Sequence, residues 1–320
     1  MELYQLRYFL AVAETGNFTK AAKRSFISQP SLSQQILNLE EEFGQKLFNR
    51  LGRKVVLTEG GKILLDGAYR ILDEVDQTVG ELKTDPIEGP RVSVGAIPTV
   101  APFFLPAVLA YCRANAVHIR LHTQEDFRAP LIEALADGKI DWALLSLPLN
   151  DPRLKIEKLY SEPLWLAMST DHRLASVEIF TFEDLREESF ILLGDGSTLA
   201  AQIQEHCGEH HFEPHIAHRC SQLATVKAFA AMGLGVSVLP QSARGATDPE
   251  GLLFRRFSGA APTRDIGLVH HKRHHLGPGA MLFAEAARAV VGPGPGARKT
   301  LPLSPIDPDP QAGFAPGKVS

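Results

Sequence analysis

The segment "TDPIEGPR" at residues 84–91 separates two stretches of chain with different periodicities. Before it, apolar residues recur at helical spacing. After it, short apolar runs alternate with helical patterns, the rhythm of strands and helices taken in turn. A chain of 320 residues is long enough for two or three domains, each with its own core. The Pro/Gly linker is the natural boundary between them.

In the first stretch Leu3, Leu6, Phe9, Leu10 and Ala13 follow helical spacing, and Gly16 stops that helix. Asn17 or Thr19 caps a second helix, "TKAAKRSF", in which Ala21, Ala22 and Phe26 are expected to turn inward. After a break at Ile27, Ser28 is placed as N-cap of a third helix, with Pro30 tolerated in its first turn. That helix starts with small uncharged polar residues (Ser28, Gln29, Ser31, Ser33, Gln34) and continues with Leu32, Ile36, Leu39 and Phe43 at core spacing. It ends in Glu40, Glu41 and Glu42, whose charge is expected to keep the far end away from phosphate. "QKLFNRLGRKVVLTEGG" then reads as a two-strand wing turning at Gly52. Thr58 and Glu59 open a long helix that ends before Pro86. Along it Leu64, Ala68, Ile71, Val75, Thr78 and Leu82 alternate four and three apart, a heptad seam expected to pair with a second copy. The competing reading is an amphipathic helix packed on its own domain.

Charge supports a division of labour. The whole chain has a formal net charge of −4 and a pI near 6.3, with no global sign of a nucleic-acid partner. Residues 1–57, however, carry Arg7, Lys20, Lys23, Arg24, Lys46, Arg50, Arg53 and Lys54 against Glu2, Glu14 and Glu40–Glu42, a net of about +3. No run of eighteen apolar residues is present, and "MELYQLRYFLAVAE" lacks the basic start and apolar core of a signal peptide. Cys112, Cys207 and Cys220 are too few and too scattered for a disulfide framework. A cytoplasmic location is expected, with no membrane partner.

Beyond the linker "RVSVGA", "VHIRLH" and "IDWALLSLP" read as strands separated by the helices "PFFLPAVLAYCRAN" and "FRAPLIEALADG". After a crossing near 162–168 the rhythm repeats with "SFILLG", "HIAHRC" and "GVSVLP" around two further helices. "RDIGLVHH" then returns to the first unit. The pattern implies parallel, doubly wound α/β units. The expected divisions are residues 1–58, a helix at 59–86, one subdomain from 90–164 with 266–291, a second at 165–265, and a disordered Pro/Gly-rich tail at 292–320.

The run "LRYFLAVAETGNFTKAAKRSFISQPSLSQQILNLEEEFGQKLFNR" followed by "VVLTEGG" resembles the winged helix-turn-helix of LysR-type transcriptional regulators. "VGAIPTVAPFFLP", "LIEALADGKIDWALL" and "SQLATVKAFAAMGLGVSVLP" resemble the effector domain of the same family, and the pattern is closest to its peroxide-responsive branch. The resemblance implies two α/β subdomains of the periplasmic-binding-protein type, joined to an all-α DNA-binding head with a β-wing. It implies a regulator that binds double-stranded DNA as a homodimer or homotetramer and answers to a small effector. Gln29, Pro30, Ser31, Ser33 and Gln34, with Ser28 at the cap, are then expected to face bases, since short amides and hydroxyls on a first turn reach base edges in the major groove. Arg50, Arg53 and Lys54 are expected on the wing, and Lys20 and Arg24 on phosphates.

By the same resemblance the effector lies between the subdomains, at strand ends and helix starts. Pro98, Thr99, Val100, Ser146, Gly196, Ser197 and Thr198 are the candidate contacts, with Arg128 as charge partner for an anion. Thr198 stands where the peroxide-responsive branch has its reactive cysteine, and Cys207 matches only the second one. Thiol-based switching is therefore not expected. A metal- or redox-responsive variant using His206, Cys207, His210, His211, His215, His218 and Cys220 is an alternative, as is a solute-binding protein without DNA function. The histidine spacings match no defined metal site, and neither a metal nor a cofactor is expected. No Gly-Xaa-Ser-Xaa-Gly elbow, phosphate loop or His-Glu-Xaa-Xaa-His motif is present, and an enzyme is not expected.

Overall fold

Three separate apolar cores organise the chain in the computed structural model, which describes residues 1–51, 54–82, 89–258 and 261–292. The first belongs to helices α1 (Leu3–Thr15), α2 (Phe18–Arg24) and α3 (Gln29–Phe43), strands β1 (Phe48–Leu51) and β2 (Lys54–Leu57), and helix α4 (Glu59–Leu82). Leu6, Phe9, Val12, Ala21, Leu32 and Leu39 are fully buried at its centre. Asn17, rather than Thr19, caps α2 by accepting from the Lys20 amide at 3.0 Å. The Ser28 hydroxyl accepts from the Ser31 amide at 3.2 Å and starts α3. β1 and β2 form an antiparallel ribbon, the wing.

Three expectations are corrected in this unit. Glu40 does not point at solvent: it is 7% exposed, and one carboxylate oxygen accepts from the Leu47 and Phe48 amides at 2.8 and 3.2 Å. It ties the end of α3 to the start of the wing, and Lys46 balances its charge at 3.0 Å. Phe26 does not turn inward either, being almost fully exposed. The heptad seam on α4 is also displaced. Ala68 and its neighbours Leu65, Tyr69 and Leu72 are buried in the head's own core, and Leu64 packs against it. The apolar residues left exposed on α4 include Ile63, Ile71 and Val79, with Val75 half-buried; the Leu82 side chain lies outside the described residues.

Past the linker the chain forms β3 (Arg91–Ala96), α5 (Ala101–Ala114), β4 (Arg120–Glu125), α6 (Arg128–Ala136), β5 (Trp142–Leu147) and β6 (Leu154–Ser169). It continues through β7 (Ser189–Leu193), α7 (Thr198–Glu209), β8 (His215–Cys220), α8 (Leu223–Ala231), β9 (Ser237–Pro240), β10 (Leu252–Arg255), β11 (Thr263–His271) and α9 (Pro278–Val290). The sheets are mixed, not purely parallel. β3 lies between β4 and β5 and is parallel to both, whereas β11 runs antiparallel to β5 and to β6. The expected crossing near 162–168 is the second half of a single 16-residue strand, β6. Its first half pairs with β11 in one core, and its second half pairs with β9 and β10 in the other.

Where β6 passes between the two cores, Arg264 and Glu162 face each other in register and are 1% and 3% exposed. Arg264 Nε and Nη2 donate to Glu162 Oε1 at 2.9 and 2.8 Å. Its Nη1 donates to the Thr99 hydroxyl at 2.6 Å, and Nη2 also to the Thr99 carbonyl at 2.8 Å. The Ser242 amide donates to the other Glu162 oxygen at 3.2 Å. Strands of both units and the loop after β3 thus meet on one buried ion pair. Arg264→Met would leave the Glu162 carboxylate buried and uncompensated, a change expected to lower the stability of this unit by about 3–5 kcal/mol. Urea unfolding of the full chain, followed by Trp fluorescence, measures the loss.

Candidate nucleic-acid interface and effector cleft

The start of α3 exposes Ser28, Gln29, Pro30, Ser31 and Gln34, with Ser33 half-buried, while Leu32, Ile36 and Leu39 anchor its other face in the core. The first turn carries no acidic residue, so the free N–H groups and positive dipole end of the helix are not neutralised. Besides the Ser28 cap, the polar side chains bond near neighbours on the same helix: Ser28 to the Ser31 hydroxyl at 2.7 Å, Gln29 Nε2 to the Ser33 hydroxyl at 2.8 Å, and Gln34 Nε2 to Asn38 at 2.9 Å. Such exposed neighbour contacts are weak and are exchanged for other polar partners at little cost. Lys20 is exposed on α2. The side chains of Arg50 and Lys54, and Arg53 altogether, lie outside the described residues.

Arg24 departs from its expected role. Its guanidinium pairs with Glu14 at 2.7 Å and with Asp137 at the end of α6, so it is a link within the chain rather than an open phosphate contact. Asp66 on α4 pairs with Arg273 at 3.0 Å, and the Tyr69 ring lies 5.1 and 4.9 Å from the rings of His271 and His274. Tyr69 also donates to Glu14, and burial together with that carboxylate pushes its phenol far above the usual range. The head and α4 therefore rest on the end of the first α/β core. Nothing in the sequence near Arg24 marks this contact.

The proposed effector residues gather at the strand ends. Pro98 is half-buried and Val100 buried at the start of α5, and both Thr99 oxygens accept from Arg264, with the hydroxyl proton still able to donate. Arg128 opens α6, and its Nη2 donates to the Ser146 carbonyl at 2.6 Å. Arg128 Nε, the Ser146 hydroxyl, the Tyr160 hydroxyl and the Ser242 hydroxyl are buried without a hydrogen-bond partner. Desolvation lowers the Arg128 pKa and raises that of Tyr160. Ser146 and Tyr160 lie in one row across β5, β11 and β6, each in register with Ile266. In the second α/β unit Ser197 is buried as the N-cap of α7, its hydroxyl accepting from the Ala200 amide at 3.3 Å, and Thr198 is half-buried beside it. At Gly196 an added Cβ would lie 3.5 Å from the Phe127 ring, so the loop before α7 meets the start of α6. Sequence reasoning missed Arg264, Glu162 and Tyr160. The signal was available: Glu162 interrupts the otherwise apolar run "LYSEPLWLAM".

Residues 3–62 match the bacterial regulatory helix-turn-helix protein, lysR family, and residues 88–292 match the LysR substrate binding domain. This chain belongs to the LysR family of transcriptional regulators. It is 32% identical over 295 residues to the DNA-binding transcriptional dual regulator OxyR of Escherichia coli (strain K12), covering 90% of this chain and 95% of that protein. Its fold is similar to that of a full-length OxyR variant from Pseudomonas aeruginosa, with a TM-score of 0.61 and 28% identity over 90% of this chain and 95% of that one. It is also similar to full-length CbnR complexed with its target DNA, with a TM-score of 0.58 and 26% identity over 90% and 99% of the two chains. The chain is accordingly a DNA-binding transcriptional regulator whose α/β region is an effector-binding domain. Among its described residues no helix is long and apolar enough to cross a membrane.

The cysteines of this LysR regulator lie in its cores. Cys207 is fully buried, and desolvation pushes its thiol up to about 12; burial also raises Cys112 and Cys220. Protonated buried thiols are poor nucleophiles. His206 meets the Phe182 ring edge-on and His210 stacks on it, and the two pair with Glu209 and Glu183 at 2.7 and 3.0 Å. Among the described residues no group of three or more His, Cys, Asp or Glu side chains is arranged to hold a metal ion. A short exposure of the native chain to an aromatic disulfide reagent at pH 7.5 is expected to release only a small part of the colour seen after denaturation, because the thiols are buried and protonated. Rapid full release would contradict the burial of Cys207.

Proposed function

We propose that this regulator reads a two-fold symmetric operator through the first turn of α3, with two subunits paired along α4 and such pairs assembled into a tetramer. The observation that carries the reading is the exposed, uncharged polar start of α3 above an apolar anchor. Gln29 and Gln34 have the two-pronged amides that match adenine, and Ser28, Ser31 and Ser33 serve bases or phosphates. Lys20 and the wing residues Arg50, Arg53 and Lys54 take the phosphate backbone. Ile63, Ile71 and Val79 on α4 supply the apolar face for a second copy. A regulator of this kind works in the cytoplasm, where the DNA is, and needs no cofactor.

The effector in this proposal is a small anion held between the subdomains. Arg128, half-buried with an unpartnered Nε beside the buried Ser146 hydroxyl, supports that class of ligand. The Ser197–Thr198 start of α7 offers helix amides from the opposite side. A thiol-based peroxide response is not part of the proposal, since Thr198 is a hydroxyl residue and Cys207 is buried. Asp137–Arg24 and Asp66–Arg273 join the α/β region to the head and give movements of the cleft a route to α3.

Gln29→Ala is expected to cost about 1–3 kcal/mol on the preferred duplex and to relax preference at one base position, while Lys20→Ala weakens all duplexes alike and flattens the salt dependence. Fluorescence anisotropy on a duplex selected by the full chain, with single-base variants, reads both effects. Unchanged affinity and preference for Gln29→Ala would show that α3 does not read bases. Thermal-shift screening of the full chain against small carboxylates, inorganic anions and neutral analogues tests the effector class: a stabilising ligand raises the midpoint by mass action. That gain is expected from anions and is expected to disappear in Arg128→Gln.

A further inference from the structure

The turn between α2 and α3 presents Phe26, whose side chain is 95% exposed. No other large apolar side chain among the described residues is as exposed. Its backbone, at φ 56, lies in the left-handed region. The Ile27 amide donates to the Ala22 carbonyl at 3.1 Å and the Phe26 amide to the Lys23 carbonyl at 3.2 Å. That is a wrapped helix end in which glycine or asparagine ordinarily fills the left-handed position. The other two helix ends of the head, after α1 and α3, use Gly16 at φ 59 and Gly44 at φ 64. At the third, a bulky residue strains the backbone and gains nothing from burial. Folding supplies no reason for it.

Its position supplies one. Phe26 stands two residues before Ser28, the N-cap of α3, and Ser28, Gln29, Pro30 and Ser31 are exposed with it. When the start of a recognition helix enters the major groove, the residues just before it meet the sugar–phosphate wall of that groove. Lys20 and Lys23 are exposed on the preceding helix and suit the phosphates of such a wall. The wall also has an apolar component, the deoxyribose edge, which an aromatic ring covers. We propose that Phe26 is a DNA-contacting residue: its ring packs on the deoxyribose edge bordering each half-site, an apolar contact independent of sequence that positions the start of α3. The proposal rests on α3 being the recognition helix.

The test compares the full chain with F26N, F26A and Gln29→Ala, by melting temperature and by anisotropy titration of the selected duplex. Asparagine tolerates the left-handed backbone, so F26N is expected to melt at or above the wild-type temperature. Its affinity is expected to fall about three- to tenfold, the loss of part of a ring's apolar burial. The loss is the same on the selected duplex and on its single-base variants, and the salt slope of binding stays as in the wild type because no cation is removed. Wild-type affinity in F26N overturns the proposal, as does a fall in melting temperature that tracks weaker DNA binding in both Phe26 variants. Relaxed base preference in Gln29→Ala with wild-type binding in F26N removes Phe26 alone. Unaltered preference in Gln29→Ala removes the recognition-helix reading on which the assignment stands.

Discussion

The ion pair between Arg264 and Glu162 holds the architecture of the α/β region together. A guanidinium and a carboxylate withdrawn from water are stable only when their remaining valences are met. Here they are met by the hydroxyl and carbonyl of Thr99 and by the Ser242 amide. The partners come from the loop after β3 and the segment after β9, and the pair itself from β6 and the start of β11. The pair therefore fixes how two separately cored units share one long strand. It also fixes the loop that starts α5, through Thr99. Repacking the site with apolar residues would keep the burial but lose the directional bonds that set this arrangement.

A similar device works at smaller scale in the head. Glu40 accepts two amides at the entry to the wing, so the wing's position is bonded to the far end of the helix whose near end is exposed for DNA. The wing and the polar first turn of α3 thus share the core around Leu32 and Leu39. Arg24 and Asp66 then attach that body to the α/β region through Asp137 and Arg273.

Much of this was legible locally. The Ser28 cap, Pro30 in the first turn, the Gly16 helix end and the strand–helix rhythm of the second region all follow from short-range chemistry and appear in the structure. What was not legible depends on partners distant in sequence. Glu40 looks like one of three surface acids until the Leu47 and Phe48 amides need an acceptor. Arg24 looks like a phosphate contact until α6 brings Asp137 to it. β6 reads as a crossing because its two halves are buried in different cores, and no local pattern shows that they form one strand. Ala68 fits a heptad seam equally well as a head-core residue, and only the packing of α4 on α1 distinguishes the two. Phe26 reads as an inward residue because apolar residues usually are buried. Its left-handed backbone, invisible in the sequence, turns it outward.

Paired copies of α3 reading bases in successive major grooves would leave a defined footprint on DNA. Hydroxyl-radical footprinting of the full chain on a duplex selected from a random pool tests it most directly. The account requires two protected half-sites of inverted sequence, with centres about 10.5 base pairs or a multiple of that apart. Protection without inverted symmetry, or a pool that yields no preferred sequence, would contradict it.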